Sequence, residues 1–136
     1  MSSRGSVTKN GHVTTDEYVY VYDDKGRQVT IYGAKVLEGK NGNHSLPDFA
    51  HTPGSIYIKL DSMENFRELR AYDDKGFPVI EIGYHQERKL SGNNDKVLHY
   101  HTFDADLTRH MGGIISPDSN PTIYYRYKKY LEAFGL

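Results

Sequence analysis

The sequence of 136 residues contains no cysteine. That absence excludes disulfide scaffolds, thiolate zinc sites and cysteine nucleophiles together. Nowhere do about 18 apolar residues run together, as a membrane-spanning helix requires. Met1-Ser2-Ser3-Arg4-Gly5-Ser6 also lacks the apolar run of a signal peptide, so the expectation is a cytoplasmic chain with no membrane partner. Charge of one sign is not in excess: 17 Lys and Arg stand against 18 Asp and Glu, a net charge of -1. Binding of nucleic acid would therefore have to use a local patch. A phosphate-cradling Gly loop, a nucleophile elbow and a helical His-Glu-x-x-His are all missing, which removes the nucleotide kinase, elbow hydrolase and metalloprotease readings.

Apolar residues are scarce as well, at 37% of the chain and a mean hydropathy of -0.71. Twelve tyrosines and five phenylalanines partly offset this, because a tyrosine ring packs like a hydrophobe and keeps a polar tip. The length suits one domain that buries a core without disulfides or a structural metal. Residues 1–15, rich in Ser, Gly, Thr and Asn, read as a flexible leader, and 16–136 as a single domain.

Tyr18 to Tyr22 and Gln28 to Tyr32 carry β-branched and aromatic residues around Asp23-Asp24-Lys25-Gly26, a strand-turn-strand pattern. Fifty positions later Tyr22-Asp23-Asp24-Lys25-Gly26 recurs as Tyr72-Asp73-Asp74-Lys75-Gly76, which reads as a second, similar hairpin in the same sheet. The carboxylates beside each turn Gly are expected to cap their turns. Gly33 to Gly54 reads as a long polar loop, with Ala34 to Leu37 extending the strand before it. Ser55 to Asp61 resumes strand alternation, Gln86 to Lys96 reads as a loop, and Asp104 to His110 as a short helical turn that Gly112-Gly113 ends. Asn120-Pro121 starts a helix and Gly135 ends it, with Ile123, Tyr124, Tyr127, Leu131 and Phe134 as its packing stripe.

Leu98-His99-Tyr100-His101-Thr102 is the stretch most suggestive of chemistry. In an extended strand His99 and His101 point the same way, about 6.5–7 Å apart. Neighbouring strands would bring His85, Tyr84 and Arg70 towards the same surface. One imidazole would then take a proton and another give one, while Arg70, Arg88 or Lys89 stabilises anionic charge. A metal site built from His-x-His with His85 or Asp104 is the other chemical form, although the favoured form requires no metal cofactor. The plainer alternative is a pair of strand histidines bonded to their neighbours. Arg126, Lys128 and Lys129, set among Tyr124, Tyr125 and Tyr127, suit single-stranded nucleic acid, or simply a solvated helix face.

Pro53-Gly54-Ser55, Arg70-Ala71-Tyr72-Asp73-Asp74-Lys75-Gly76, Glu81-Ile82-Gly83-Tyr84-His85 and His99-Tyr100-His101 together resemble the C-terminal domains of polymorphic toxins carried on phage-derived or secretion-associated proteins. Tyr22-Asp23-Asp24-Lys25-Gly26-Arg27 also resembles the YD repeats of toxin-delivery shells. The resemblance covers about a third of the chain. Where that family has an acidic Asp-x-Asp-Tyr string, this chain has Glu81-Ile82-Gly83-Tyr84. The resemblance implies a toxin-like or phage-encoded module, nuclease activity as a frequent theme, and delivery into a target cell as a variant of its location.

The fold expected is α+β: a twisted, mostly antiparallel sheet of two β-hairpins plus the His-x-His strand, with one C-terminal helix packed on it. The expected function is that of a toxin-like nuclease, RNase favoured, with His85, His99, His101, Arg70 and Arg88 catalytic. Tyr84, Lys89, Arg126 and Lys128 would bind the nucleic acid, and a cognate inhibitor is a possible partner. The rival is a non-enzymatic phage or mobile-element module that binds a host protein.

Overall fold

Alternation along the strands decides which side chains form which face of one sheet. A computed structural model describes residues 8–9, 12–13, 18–39, 46–61 and 63–136. Its elements are β1 (Thr8–Lys9), β2 (His12–Val13), β3 (Tyr18–Tyr20), β4 (Thr30–Ile31), β5 (Ala34–Gly39), β6 (Ile56–Leu60), β7 (Phe66–Tyr72), β8 (Pro78–Gln86), α1 (Arg88–Ser91), β9 (Lys96–Phe103), β10 (Arg109–Ile114) and α2 (Pro121–Glu132). The main sheet runs β10-β9-β8-β7-β6-β5-β3, with β4 also paired to β5. Only β5 and β6 run parallel; the other pairs are antiparallel. The architecture is α+β, an open, mostly antiparallel sheet with a C-terminal helix. β1 and β2 pair with each other, and most of the expected leader lies outside the described residues.

One face of the sheet is apolar. Val36, Ile58, Leu69 and Ile82 sit side by side across β5 to β8 and are almost fully buried. α2 lays Tyr127, Tyr130 and Leu131 on them, with Ile123, Tyr124 and Phe134 at the margins. Tyr130 is absent from the stripe read in the sequence; its ring closes against Tyr127 at a centroid distance of 6.4 Å. The opposite face holds a smaller apolar cluster of Leu37, Leu46, Tyr57 and Tyr72 and then turns polar towards β9.

Four reversals share one backbone pattern. In the segments starting at Asp23, Asp61, Asp73 and Asp104, the Asp N–H donates to the carbonyl four residues on, and the fourth residue's N–H donates back to the Asp carbonyl. In the first three the Asp Oδ1 also accepts N–H groups two and four residues ahead, at 2.8–3.0 Å. The fourth residue is left-handed in every case: Gly26 (φ 78), Glu64 (φ 64), Gly76 (φ 85) and Leu107 (φ 70). Glu64 is exposed and stands in a conformation that costs an L residue about 1 kcal/mol. Glu64→Gly is therefore expected to raise the unfolding free energy by about that amount in urea melts. Gly26→Ala and Gly76→Ala separate the two sequence copies. At Gly26 a Cβ meets nothing, whereas at Gly76 it falls 2.7 Å from the Ala50 carbonyl oxygen, so Gly76→Ala is expected to cost clearly more.

Several local expectations change. Ala34 to Gly39 is a strand in its own right, because Tyr32 (φ 51) and Gly33 (φ 86) fold the chain back between β4 and β5. The loop reading then holds only beyond Gly39, and 40–45, with His44, lies outside the described residues. β3 and β4 both pair with β5, and between them the chain closes through the Asp23 turn, a Tyr22–Gln28 bridge and the Val29 N–H to Val21 carbonyl bond. The segment after Phe103 is a hairpin to β10 rather than a helical turn. Its register slips between Met111 and Gly113, and the Tyr100 ring occupies the place where Gly112 lacks a Cβ. Asn120 precedes α2 without a side-chain cap; its Nδ2 donates instead to the Ile114 carbonyl at 2.7 Å.

Candidate functional site on the polar face

Glu68 and Arg70 on β7, Glu81, Gly83 and His85 on β8, and His99 and His101 on β9 share the phase opposite the α2 face. Register sets Glu68 beside Gly83 and Gly83 beside His99, and in the next row Arg70 beside Glu81 and Glu81 beside His101. Gly83 is what lets the imidazoles meet. A Cβ there would lie 2.9 Å from His85 Nε2 and 3.3 Å from His99 Cε1. The His85 and His99 rings stack edge to face at 4.6 Å, and His99 and His101 at 5.1 Å. His85 Nδ1 lies 3.0 Å from the Gln86 carbonyl and His99 Nδ1 2.9 Å from the Val97 carbonyl. Carbonyls only accept, so in each neutral ring Nδ1 donates and Nε2 keeps its lone pair.

Glu81 is the electrostatic centre. Its Oε1 accepts from Arg70 Nη2 at 2.7 Å and its Oε2 from Arg109 Nη1 at 3.0 Å. Burial alone would push this carboxyl up, but the two guanidiniums outweigh it and hold Glu81 below the usual carboxylate range. At Glu68 the nearby charges of Arg70, Lys59 and Arg67 do not outweigh burial. Burial, with Glu81 close by, pushes it up to about 7. Burial lowers both His99 and His101, and the Arg109 charge lowers His101 further, so both rings are neutral at pH 7. Among the described residues, Tyr57 Oη, Glu68 Oε2, Arg70 Nε and His99 Nε2 are buried side-chain atoms without a hydrogen-bond partner. All four belong to this face.

A strap of chain, Leu46 to Ala50, lies across part of it. Arg70 Nη1 donates to the Leu46 and Pro47 carbonyls at 3.1 and 3.0 Å, and the Tyr72 hydroxyl donates to the Pro47 carbonyl. Ala50 N–H meets the Gly76 carbonyl at 2.9 Å, and the Phe49 ring stands edge to face with Phe77 at 5.3 Å. Further along this face His99 is 0% exposed and His101 6%. His85 is half-buried and the Arg109 side chain is 52% exposed, so these two carry the accessible part of the cluster. Clefts of about 240 Å³ between β5 and β6, with Lys59 and Leu60, and of about 410 Å³ beside Phe77 and Phe103, open elsewhere on the surface.

The residues singled out in the sequence divide accordingly. His85, His99 and His101 meet, and Arg70 lies in the same face but is committed to Glu81 and to the strap, with its guanidinium 5.1 Å from the Phe103 ring. Tyr84 has the opposite phase and packs on the apolar core, where Lys96 Nζ lies 5.7 Å from its ring. Arg88 and Lys89 are exposed on the single turn of α1, and Arg126 and Lys128 belong to α2, on the other side of the sheet. Sequence reading missed Glu68, Glu81 as a partner of arginine, and Arg109. The alternation Glu68-x-Arg70, Glu81-x-Gly83-x-His85 and His99-x-His101 carried the signal for the first two. Among the described residues no three His, Asp or Glu side chains stand where they could share a metal ion, and no helix is long and apolar enough to cross a membrane.

The chain matches no protein-family model, no curated protein and no solved structure.

Proposed function

We propose that the polar face cleaves RNA phosphodiesters in the manner of a toxin-like ribonuclease. The observation that carries this reading is the row of three touching imidazoles beside a carboxylate held by two arginines, on the sheet face that α2 leaves free. The neutral His101 ring takes the proton of a 2′-hydroxyl as its oxygen bonds to phosphorus. His85, from the half-buried end of the row, enters the step as an imidazolium: Nδ1–H stays on the Gln86 carbonyl and the second proton, on Nε2, passes to the departing 5′-oxygen as the phosphorus–oxygen bond breaks. Arg109 meets the charge on the phosphorane oxygens. His99 stacks between the two and positions them, and Glu81 fixes Arg109.

Cleavage of single-stranded RNA by the purified protein, with and without EDTA, tests this. Activity is expected to survive EDTA and to fall about 10²–10⁴-fold in His101→Ala or His85→Ala. Gly83→Ala, which displaces both rings while removing neither, should also lower it. No cleavage by the wild-type protein under any divalent metal would sink the reading. A specific observation favours the rival in that event: His99 and His101 are enclosed and Arg70 is spent on main-chain carbonyls, as in a rigid polar core. The protein would then be a non-enzymatic phage or mobile-element module that binds or inhibits a host protein, and a pull-down with the folded chain would follow.

A further inference from the structure

Away from the histidines, the outer surface of α2 and the adjoining β4–β5 turn carry rings and cations that the proposed cleavage does not use. Tyr32 is 67% exposed although its φ of 51° is one that L side chains avoid, at a cost of about 1–2 kcal/mol. Little burial offsets that cost. The Tyr32 ring meets the edge of Tyr130 at 6.3 Å, and Lys129 Nζ lies 5.6 Å from its centroid and 5.2 Å from that of Tyr130. Tyr125 is 58% exposed and stands edge to face with Tyr124 at 5.1 Å, with Lys128 Nζ 5.8 Å from its centroid. Tyr125, Lys128 and Lys129 are spaced i, i+3 and i+4, so they share one helix face, and the exposed Arg126 adjoins it. One carboxylate lies nearby, Glu132, 3.1 Å from Lys128.

We infer that this surface is a stacking platform for single-stranded nucleic acid, with bases on Tyr32 and Tyr125 and phosphates on Lys128, Lys129 and Arg126. Exposed rings with cations held over or beside them match a strand that alternates flat bases with anionic phosphates. Duplex keeps its base faces stacked internally and offers nothing to the rings. A second copy of the chain would bring like charges together. The inference deepens the ribonuclease reading by naming its substrate class, yet it stands on different residues from the other side of the sheet.

The test is fluorescence anisotropy of a labelled 2′-O-methyl oligouridine, which has no free 2′-hydroxyl to react. The expected result is saturable binding by the wild-type protein, weakened about tenfold by Tyr125→Ala and again by Tyr32→Gly, a change that relieves the backbone instead of straining it. Lys128→Gln/Lys129→Gln should flatten the slope of log K against log salt by about 1.4. His101→Ala should bind as the wild type does, so failure of cleavage and failure of the platform read out separately. Wild-type protein that does not bind the strand, binds duplex RNA as well, or binds equally after the tyrosine changes would overturn the inference.

Discussion

Glu81→Ala is expected to lower the unfolding free energy by about 3–5 kcal/mol, the largest single effect on stability that the polar face holds. The change removes the carboxylate bonded to Arg70 Nη2, and Arg70 is 3% exposed. A buried guanidinium then keeps its charge, and among the described residues Asp48, at 3.6 Å, is the carboxylate left within ion-pair distance. Arg109→Ala should cost far less, since that side chain already stands half in water and surface ion pairs contribute about 0–1 kcal/mol. Urea melts of the two variants separate the roles. Joint replacement by Arg70→Met and Glu81→Met is expected to recover part of the loss, because the two buried charges go together while the Leu46 and Pro47 carbonyls lose their donor. Equal losses for Glu81→Ala and Arg109→Ala would show that the buried pair is not what the charge of Glu81 serves.

Glu68→Gln is expected to change how stability depends on pH. The folded Glu68 titrates at about 7 against 4.5 for the free side chain, so the folded protein holds a proton that the unfolded chain has already released. Stability from this group is fully present below pH 4.5 and is lost as the pH rises through 7, about 3 kcal/mol by pH 9. Glu68→Gln abolishes that loss. The difference between variant and wild type in urea melts should therefore widen by about 2.5 kcal/mol from pH 5 to pH 9. A difference that stays constant would mean that Glu68 ionises in the folded protein as freely as in water. His99 and His101 act with the opposite sign. Their folded values are lowered, so the unfolded chain takes up protons first and stability falls as the pH drops below about 6.5.

The sheet was legible because alternation and turn chemistry are local. Tyr72 to Gly76 reads as a turn from five letters, and Pro121 with Gly135 brackets α2. The course of β5 was hidden because Tyr32 adopts a left-handed turn conformation that nothing in its side chain announces. β10 was hidden because Gly112-Gly113 reads as an interruption, whereas tertiary packing of the Tyr100 ring turns Gly112 into a bulge. Within the site, the meeting of His99 with His101 follows from a spacing of two. Phase also places His85 with them and Tyr84 against the core, a distinction lost when the two were read together. Arg109 carries no local mark at all: only the pairing of β10 with β9 brings it to Glu81.

The parallel pairing of β5 with β6 separates the chain into two regimes of assembly. β7 to β10 form a meander in which each strand meets the next across a short connection, so its contacts close cheap loops and can form early. β5 reaches β6 only after the chain has crossed from Gly39 to Ile56, and β3 and β4 are attached to the sheet through β5 alone. The N-terminal strands therefore depend on a frame built by residues that are synthesised after them. The strap over Arg70 and Tyr72 lies within that crossing, so its docking on β7 shortens the loop that β5 must close to reach β6.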